Sequence, residues 1–338
     1  MKVAFFELEH WEEPILKNQL AGHDLYLTSE KLTIDSLPDR KDFDVISTFI
    51  DSEGSREVLD SFPNLKLVAT RSTGFDHIDL ETAKSRNIEI ANVPAYGENT
   101  VAEYTFGLLL ALTRKIYQAV DQVKERSSFN LQGLRGVDLK GKTIGVIGTG
   151  RIGQEVVKIA HGFGMNVIAT DAYPRKELEE QGLLTYMSLA ELLGRSDVIT
   201  LHCPATPETT HTINSRNISL IKPGAFLINT ARGSLVETKA LIKALGSGKL
   251  AGAALDVIEE EGEIKDELNF LTSPHPQAET LRNMLYNHIL MDMNNVLISP
   301  HNAFNSQEAL ERILGTTIDT IQSFARGDIK NSVLGHGK

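Results

Sequence analysis

An arginine, a run of carboxylates and a histidine, each just past a stretch of strand character, are the residues of this chain best suited to chemistry. The arginine lies in Asn229-Thr230-Ala231-Arg232-Gly233. A guanidinium at the end of a buried strand presents a planar fork that matches a carboxylate, although the same pattern also describes an arginine in an ordinary surface turn. The carboxylates lie in Asp256-Val257-Ile258-Glu259-Glu260-Glu261-Gly262-Glu263, and taken alone such a run is a solvated loop. The histidine lies in Ser299-Pro300-His301-Asn302, and a lone histidine is more often structural than catalytic. Placed at the ends of three strands of one sheet, the three point to a single cleft. They would then supply an anion fork, an acid and a proton carrier, the apparatus for hydride transfer at a carbon bearing a hydroxyl next to a carboxylate.

The element that must position them begins at Lys142. Five residues of strand character, Thr143 to Ile147, run into Gly148-Thr149-Gly150-Arg151-Ile152-Gly153, and a helical pattern follows with Val156, Val157, Ala160 and Phe163. Gly148 permits the tight turn, Gly150 lets backbone approach a pyrophosphate, and Gly153 lets helix pack on strand. The free N–H groups of the new helix face the phosphates. A second strand, Asn166 to Thr170, leads to Asp171, where a carboxylate accepts hydrogen bonds from ribose hydroxyls and repels a 2′-phosphate. Strand, turn, helix and acid together predict a dinucleotide site, for NAD rather than NADP.

Around this core the chain alternates strand and helix. Before residue 95, strands are predicted at Val3–Phe6, Val45–Ile50, Leu65–Ala69 and Ile88–Asn92, which suggests a small parallel sheet. After Lys142, further strands are predicted at Val198–His202, Ala225–Asn229, Ala251–Asp256 and Val296–Ser299, completing a six-stranded doubly wound sheet. Between the two, Pro94 to Gly97 reads as a hinge. Thr100-Val101-Ala102-Glu103 matches a capping box opening an apolar helix to about Val120, buried in the core or at a subunit contact. Residues 122–142, polar and glycine-bearing, read as a surface excursion between domains. Gln307 to Ala325 is an amphipathic helix in need of a partner surface. The fold class is therefore α/β with two parallel-sheet domains.

Composition narrows the functions. A net charge of -11 over 338 residues argues against nucleic acid and anionic membranes as partners. The single cysteine, Cys203, excludes an internal disulfide and a thiolate metal cluster and fits a reducing cytoplasm; no metal site is predicted. The N-terminus turns acidic at Glu7, too soon for a signal peptide, and no apolar run approaches the length of a membrane span.

With these motifs in order, the chain resembles the D-isomer-specific 2-hydroxyacid dehydrogenases, their D-lactate dehydrogenase branch most of all. The resemblance runs from Leu65 to about Arg326 and rests on Thr70 to Asp79, Gly148 to Gly153, His202-Cys203-Pro204, Ile228 to Gly233, Leu255-Asp256-Val257 and Ser299-Pro300-His301. It implies a Rossmann dinucleotide-binding domain (99–301) inserted in sequence into a discontinuous, flavodoxin-like substrate domain (1–98 and 302–338). It implies Arg232, Glu261 and His301 as catalytic residues, Glu261 being preferred within the acidic run by alignment alone. NAD contacts are implied for Gly148, Gly150, Arg151, Ile152, Gly153, Asp171, His202, Cys203, Pro204, Thr209, Thr230 and Asp256, with Asp256 at the nicotinamide carboxamide. Substrate contacts are implied for Arg232, the Thr73 and Gly74 backbone, Tyr96 and Phe304. A homodimer built on the cofactor domains is implied as well, with the apolar helix from Thr100 among the contacts.

Within that resemblance the expected substrate pair is pyruvate and D-lactate. Phe49 and Ile50 stand where close D-lactate enzymes often carry a tyrosine, which leaves open a longer or more apolar side chain, or glyoxylate and hydroxypyruvate. From a different class, an NAD(H)-sensing scaffold is a further alternative. Residues 262–294 are longer than the corresponding family stretch and have no predicted placement.

Overall fold

A computed structural model of the chain describes residues 1–261 and 278–334. It divides into two compact units, Met1–Tyr96 with Ser306–Lys338, and Gly97–Asn305. In the first unit the strands β1 (Lys2–Phe5), β2 (Asp24–Leu27), β3 (Val45–Thr48), β4 (Leu67–Thr70) and β5 (Glu89–Ala91) alternate with the helices α1 (Glu12–Gln19), α2 (Arg56–Asp60) and α3 (Leu80–Ser85). All pair in parallel, in the flavodoxin-like order β2-β1-β3-β4-β5. The central strands are apolar at successive positions because both faces are covered. Val3 and Phe5 enter one buried cluster, Ala4 and Phe6 the other. The first of these clusters also takes Leu314, Ile318 and Ile321 of the C-terminal helix Gln307–Ala325. Burying each such side chain stabilises by about 1.5–3 kcal/mol, so the tail helix finds its partner surface on this sheet.

The second unit carries α4 (Glu98–Thr113), α5 (Ile116–Lys124), β6 (Thr143–Ile147), α6 (Arg151–Gly162), β7 (Asn166–Thr170), α7 (Lys176–Glu180), β8 (Thr185–Tyr186), α8 (Leu189–Arg195), β9 (Val198–Leu201), β10 (Ala225–Asn229), α9 (Thr238–Gly246), β11 (Leu250–Leu255), α10 (Ala278–Met291) and β12 (Val296–Ile298). The tail helix is then α11. The sheet is parallel throughout, in the order β12-β11-β10-β9-β6-β7-β8. Strand order reverses between β6 and β9, so their carboxyl ends form the switch point where ligands of such sheets bind.

The structure corrects several sequence expectations. The cofactor-type sheet has seven strands rather than six, and the first sheet five rather than four. The additions, β8 and β2, are short edge strands with half-exposed side chains. Thr100 does not cap a helix: α4 starts at Glu98 behind Gly97 with no side-chain cap, and Thr100 is buried inside its first turn. The apolar helix stops at Thr113, because Lys115 takes a left-handed φ of 51° and restarts the chain as α5. Residues 122–142 lie wholly inside the second unit rather than between units, and their first three residues belong to α5. Of the stretch without a predicted placement, 278–291 forms α10; residues 262–277, including Gly262 and Glu263 of the acidic run, lie outside the described residues.

Candidate active site

At the switch point the glycines are required by contact. A Cβ at Gly153 would sit 2.1 Å from the Gly148 carbonyl oxygen, and one at Gly148, whose φ is 95°, 2.6 Å from the Cys203 nitrogen. At Gly150 a Cβ would meet nothing within 4 Å. The turn is thus closed behind and open in front, where the first N–H groups of α6, from Arg151 and Ile152 onward, emerge. That cradle fits a dinucleotide pyrophosphate. Arg151 lies 3.7 Å from Glu98 on α4.

Past β7, Asp171 takes the Thr149 N–H (2.5 Å) and hydroxyl (2.8 Å) on one carboxylate oxygen and the Tyr173 N–H (2.8 Å) on the other. Partial burial pushes this carboxyl up, but those hydrogen bonds and the charge of Arg175 outweigh it and hold the group below the ordinary carboxylate range. Past β9, desolvation pushes His202 down to about 3, and its Nε2 lies 2.8 Å from the Thr200 hydroxyl. The imidazole is therefore neutral. Burial, with a smaller push from the Asp171 charge, raises the Cys203 thiol to about 11, which removes it as a nucleophile. Pro204 is exposed at the surface of the same turn. Thr209 donates to the Pro204 carbonyl (2.7 Å) and accepts from the Thr206 N–H (2.8 Å), holding its own loop together. Thr230, 8 % exposed, meets Thr105 of α4 at 2.9 Å.

The three chemical residues lie past β10, β11 and β12, which are adjacent in the sheet. Neighbouring parallel strands lie about 4.8 Å apart, so the three loops share one stretch of sheet edge. Backbone contacts tie them further. A Cβ at Gly233 would stand 2.0 Å from the Ile258 carbonyl oxygen, so the Arg232 loop rests directly on the acidic segment. The His301 N–H donates to the Asp256 carbonyl at 2.9 Å. Arg232 donates from Nη1 to the Ala231 carbonyl at 2.8 Å.

Glu261 accepts from His301 Nδ1 at 2.7 Å. Glu259, two residues earlier, serves another histidine: it lies 2.6 Å from His211 Nε2 and takes the Thr238 N–H at 2.7 Å. Glu260 between them has a φ of 54°, which turns the two side chains to different partners. His301 itself has a φ of 54°, a conformation rare outside glycine and typical of constrained functional positions. Its ring meets Phe304 edge-on at 6.4 Å. The Asp256 carboxylate, 1 % exposed, accepts from the Ser299 hydroxyl and from the Asn302 and Ala303 N–H groups, both at 2.8 Å. Where the resemblance implies a hold on the nicotinamide amide, the structure turns both oxygens toward the His301 loop.

In the first unit, the turn after β4 carries Thr73 and Gly74. The Thr73 hydroxyl donates to the Val93 carbonyl (2.8 Å), and the Gly74 carbonyl takes the Ser72 hydroxyl (2.6 Å). The Tyr96 carbonyl accepts from Arg312 of α11 at 2.5 Å. Sequence reasoning missed Glu7 and the positional role of Arg71. The Glu7 carboxylate receives the Phe49 and Asp51 N–H groups, each at 2.8 Å, and the Ser52 hydroxyl. Arg71, 2 % exposed, donates to the Phe6 (2.9 Å) and Glu7 (2.7 Å) carbonyls and lies 5.5 Å from the centre of the Phe49 ring. Neither has a local sequence pattern; each bridges the ends of strands far apart in the chain.

A doubly wound parallel sheet with a glycine turn at its switch point, an acid after the next strand and a histidine–carboxylate pair on the same edge defines a dinucleotide-dependent dehydrogenase. Residues 106–303 match the profile of the D-isomer specific 2-hydroxyacid dehydrogenase, NAD binding domain. A 2-hydroxyacid dehydrogenase homologue of Zymomonas mobilis is 39 % identical over 97 % of this chain and 98 % of its own. An aromatic 2-oxoacid reductase of Clostridium sporogenes is 39 % identical over 88 % of this chain and 91 % of its own. The crystal structure of D-lactate dehydrogenase from Aquifex aeolicus, complexed with NAD and lactic acid, superposes with a TM-score of 0.86 at 37 % identity, covering 99 % of this chain and 100 % of that one. The chain belongs to the D-isomer specific 2-hydroxyacid dehydrogenase family. It is an NAD-dependent oxidoreductase.

Proposed function

We propose that the chain interconverts a small 2-oxo acid and its D-2-hydroxy acid, with pyruvate and D-lactate as the first-choice pair. The reading rests above all on the His301–Glu261 contact of 2.7 Å on the same sheet edge as the Arg232 loop. When bound, the reduced nicotinamide supplies the hydride that reaches C2 of the oxo acid. The N–H groups of the Gly150 turn would hold the pyrophosphate, and Asp171 the ribose hydroxyls. The remaining residues proposed for the NAD site lie past β9, β10 and β11: His202, Cys203, Pro204, Thr209, Thr230 and, through the loop it holds, Asp256. Arg232 would bind the substrate carboxylate and stabilise charge developing on the C2 oxygen. His301 would donate the proton to that oxygen from Nε2, since Nδ1 is engaged by Glu261. The Glu261 carboxylate, 2.7 Å from Nδ1, orients the ring so that Nε2 is the nitrogen left for the substrate. Asp256, by holding the loop that carries His301, keeps the proton carrier in place. Residues 1–98 with 302–338 are proposed as the substrate domain and 99–301 as the cofactor domain; Thr73, Gly74, Tyr96 and Phe304, all of the former, are proposed to complete the substrate contacts.

Phe49 favours a second substrate reading, a 2-oxo acid with a longer apolar or aromatic side chain. Its backbone is clamped by Glu7 and its ring lies over Arg71, at the carboxyl end of β3 beside the Thr73–Gly74 turn after β4. The Clostridium relative's name is in keeping with such a substrate. The test is NADH consumption with pyruvate, glyoxylate, hydroxypyruvate, 4-methyl-2-oxopentanoate and phenylpyruvate, followed by chiral analysis of the product. A D product made fastest from pyruvate supports the first reading, and preference for the bulky acids the second. Tight NADH binding with no oxidation by any of them would move the chain to a cofactor-sensing scaffold. Replacing His301 with Ala should lower kcat by about 10²–10⁴-fold while NADH binding persists; an undiminished kcat removes the histidine from the mechanism.

The lone cysteine fits a cytoplasmic location. No helix among the described residues is long and apolar enough to cross a membrane, and none of their His, Cys, Asp and Glu groups forms a metal-binding cluster. A homodimer is proposed on the apolar surface of α5 and the segment after it.

A further inference from the structure

Asp171 does not stand alone. The Thr149 hydroxyl has one proton and gives it to Asp171 (2.8 Å), so in its 2.8 Å contact with Tyr186 the phenol must be the donor. The Tyr186 oxygen in turn accepts the Arg175 N–H at 3.1 Å. A one-way chain of donors therefore runs from Arg175 through Tyr186 and Thr149 to the carboxylate, and each bond polarises the next. With the Tyr173 N–H on the other oxygen at 2.8 Å, both carboxylate torsions are pinned. Thr149 is 1 % exposed, so this brace is built into the unit rather than lying on its surface.

Cations that would accept a phosphate are close at hand. Arg151 and Arg175 line an open cavity of about 690 Å³ beside the glycine turn, with Glu98, Asn99, Gln154 and Glu155. An Asp171 side chain able to rotate toward Arg175 would leave that ground to a 2′-phosphate. We propose that Thr149 and Tyr186 are cofactor-selectivity residues: they fix the Asp171 carboxylate across the glycine turn, so that it accepts a ribose 2′-hydroxyl and excludes a 2′-phosphate. Thr149 and Tyr186 act through Asp171 and are positioning residues, not groups that touch the reacting atoms.

The test reads binding rather than turnover. Dissociation constants for NADH and NADPH are measured by nicotinamide fluorescence, with calorimetry as a check, on the full chain and on Thr149→Val, Thr149→Ser and Tyr186→Phe. The wild type should prefer NADH. Thr149→Val, which removes a charge-assisted hydrogen bond, should narrow the preference about tenfold, and Tyr186→Phe about threefold. Thr149→Ser, which keeps the hydroxyl, should retain it. If the buried Thr149→Val fails to fold, the near-isosteric Tyr186→Phe on an edge strand carries the test. A wild-type NADH:NADPH ratio in Tyr186→Phe and in every folded Thr149→Val sample overturns the proposal, as does a wild type that binds NADPH as well as NADH. The second result would also count against the NAD reading itself; the first would leave that reading untouched.

Discussion

Two histidines at the carboxyl edge of the second sheet are put to opposite uses by their surroundings. His301 has a carboxylate on Nδ1 at 2.7 Å and is 26 % exposed at the side chain, as its proposed role as proton carrier requires. His202 has no carboxylate partner among the described residues, and desolvation holds it at about 3. That depression makes His202 a pH-dependent component of stability. Above the ordinary value of 6.5 both folded and unfolded chains carry it neutral, and it contributes no slope. As pH falls below 6.5, the unfolded chain takes up a proton that the folded one refuses, and stability declines until the folded value near 3 is reached. The slope is at most about 1.4 kcal/mol per pH unit. Replacing His202 with Gln, which keeps a polar atom near Thr200, should flatten the decline in urea-unfolding free energy between about pH 6.5 and 5 relative to wild type. Parallel curves for the two proteins would show that His202 titrates alike in both states.

At the scale of elements, the central strands were the most legible part of the chain. β6, β7 and β10 occupy the spans predicted for them, as does α11, because a strand covered on both faces must be apolar at successive positions and a docked helix must carry a one-sided stripe. Edge strands have no such constraint, and β2 and β8 went unseen. The restart at Lys115 and the turn at Glu260 are left-handed residues without glycine, so nothing in residue type announces them. For the same reason spacing alone could not separate Glu259 from Glu261; that choice needed the resemblance. The glycine turn was legible for a physical reason that can be tested element by element. A Cβ at Gly153 would overlap backbone at 2.1 Å, whereas one at Gly150 would meet open space. Gly153→Ala should therefore lower the thermal midpoint by several degrees, on the order of 2 kcal/mol or more of destabilisation. Gly150→Ala should fold like wild type and lose NADH affinity by about tenfold or more, because the added methyl intrudes on the pyrophosphate approach. Equal midpoints for the two variants would refute this division of labour between closed and open faces of the turn.

On the scale of the whole molecule, the apolar surface is distributed unevenly. The expected buried helix, α4, is satisfied within its own unit: Phe106, Leu109 and Leu112 share a cluster with Ile144, Val146 and Val156. It is α5 that has no buried residue, and Ile116, Val120 and Val123 form a stripe at i, i+4 and i+7 that is 40–48 % exposed. The segment after it adds Phe129 and Leu131, 85 % and 80 % exposed. Isolated exposed apolar residues are ordinary, but a stripe with two nearly bare large side chains beyond it is the surface on which the proposed homodimer is placed. A second copy of the same unit fits, since a two-fold interface buries the same patch from both sides. The chain should sediment at about twice its 37.2 kDa mass at micromolar concentration. Replacing Val120 with Glu and Phe129 with Lys together should weaken that association by about 100-fold or more, since each charge enters the centre of the patch without a partner. Because both positions are solvent-exposed within the unit, the variant should keep its fold and its NADH affinity as a monomer. A wild type that sediments as a monomer, or a double variant that remains dimeric, would show that α5 is not the surface through which copies of this chain meet.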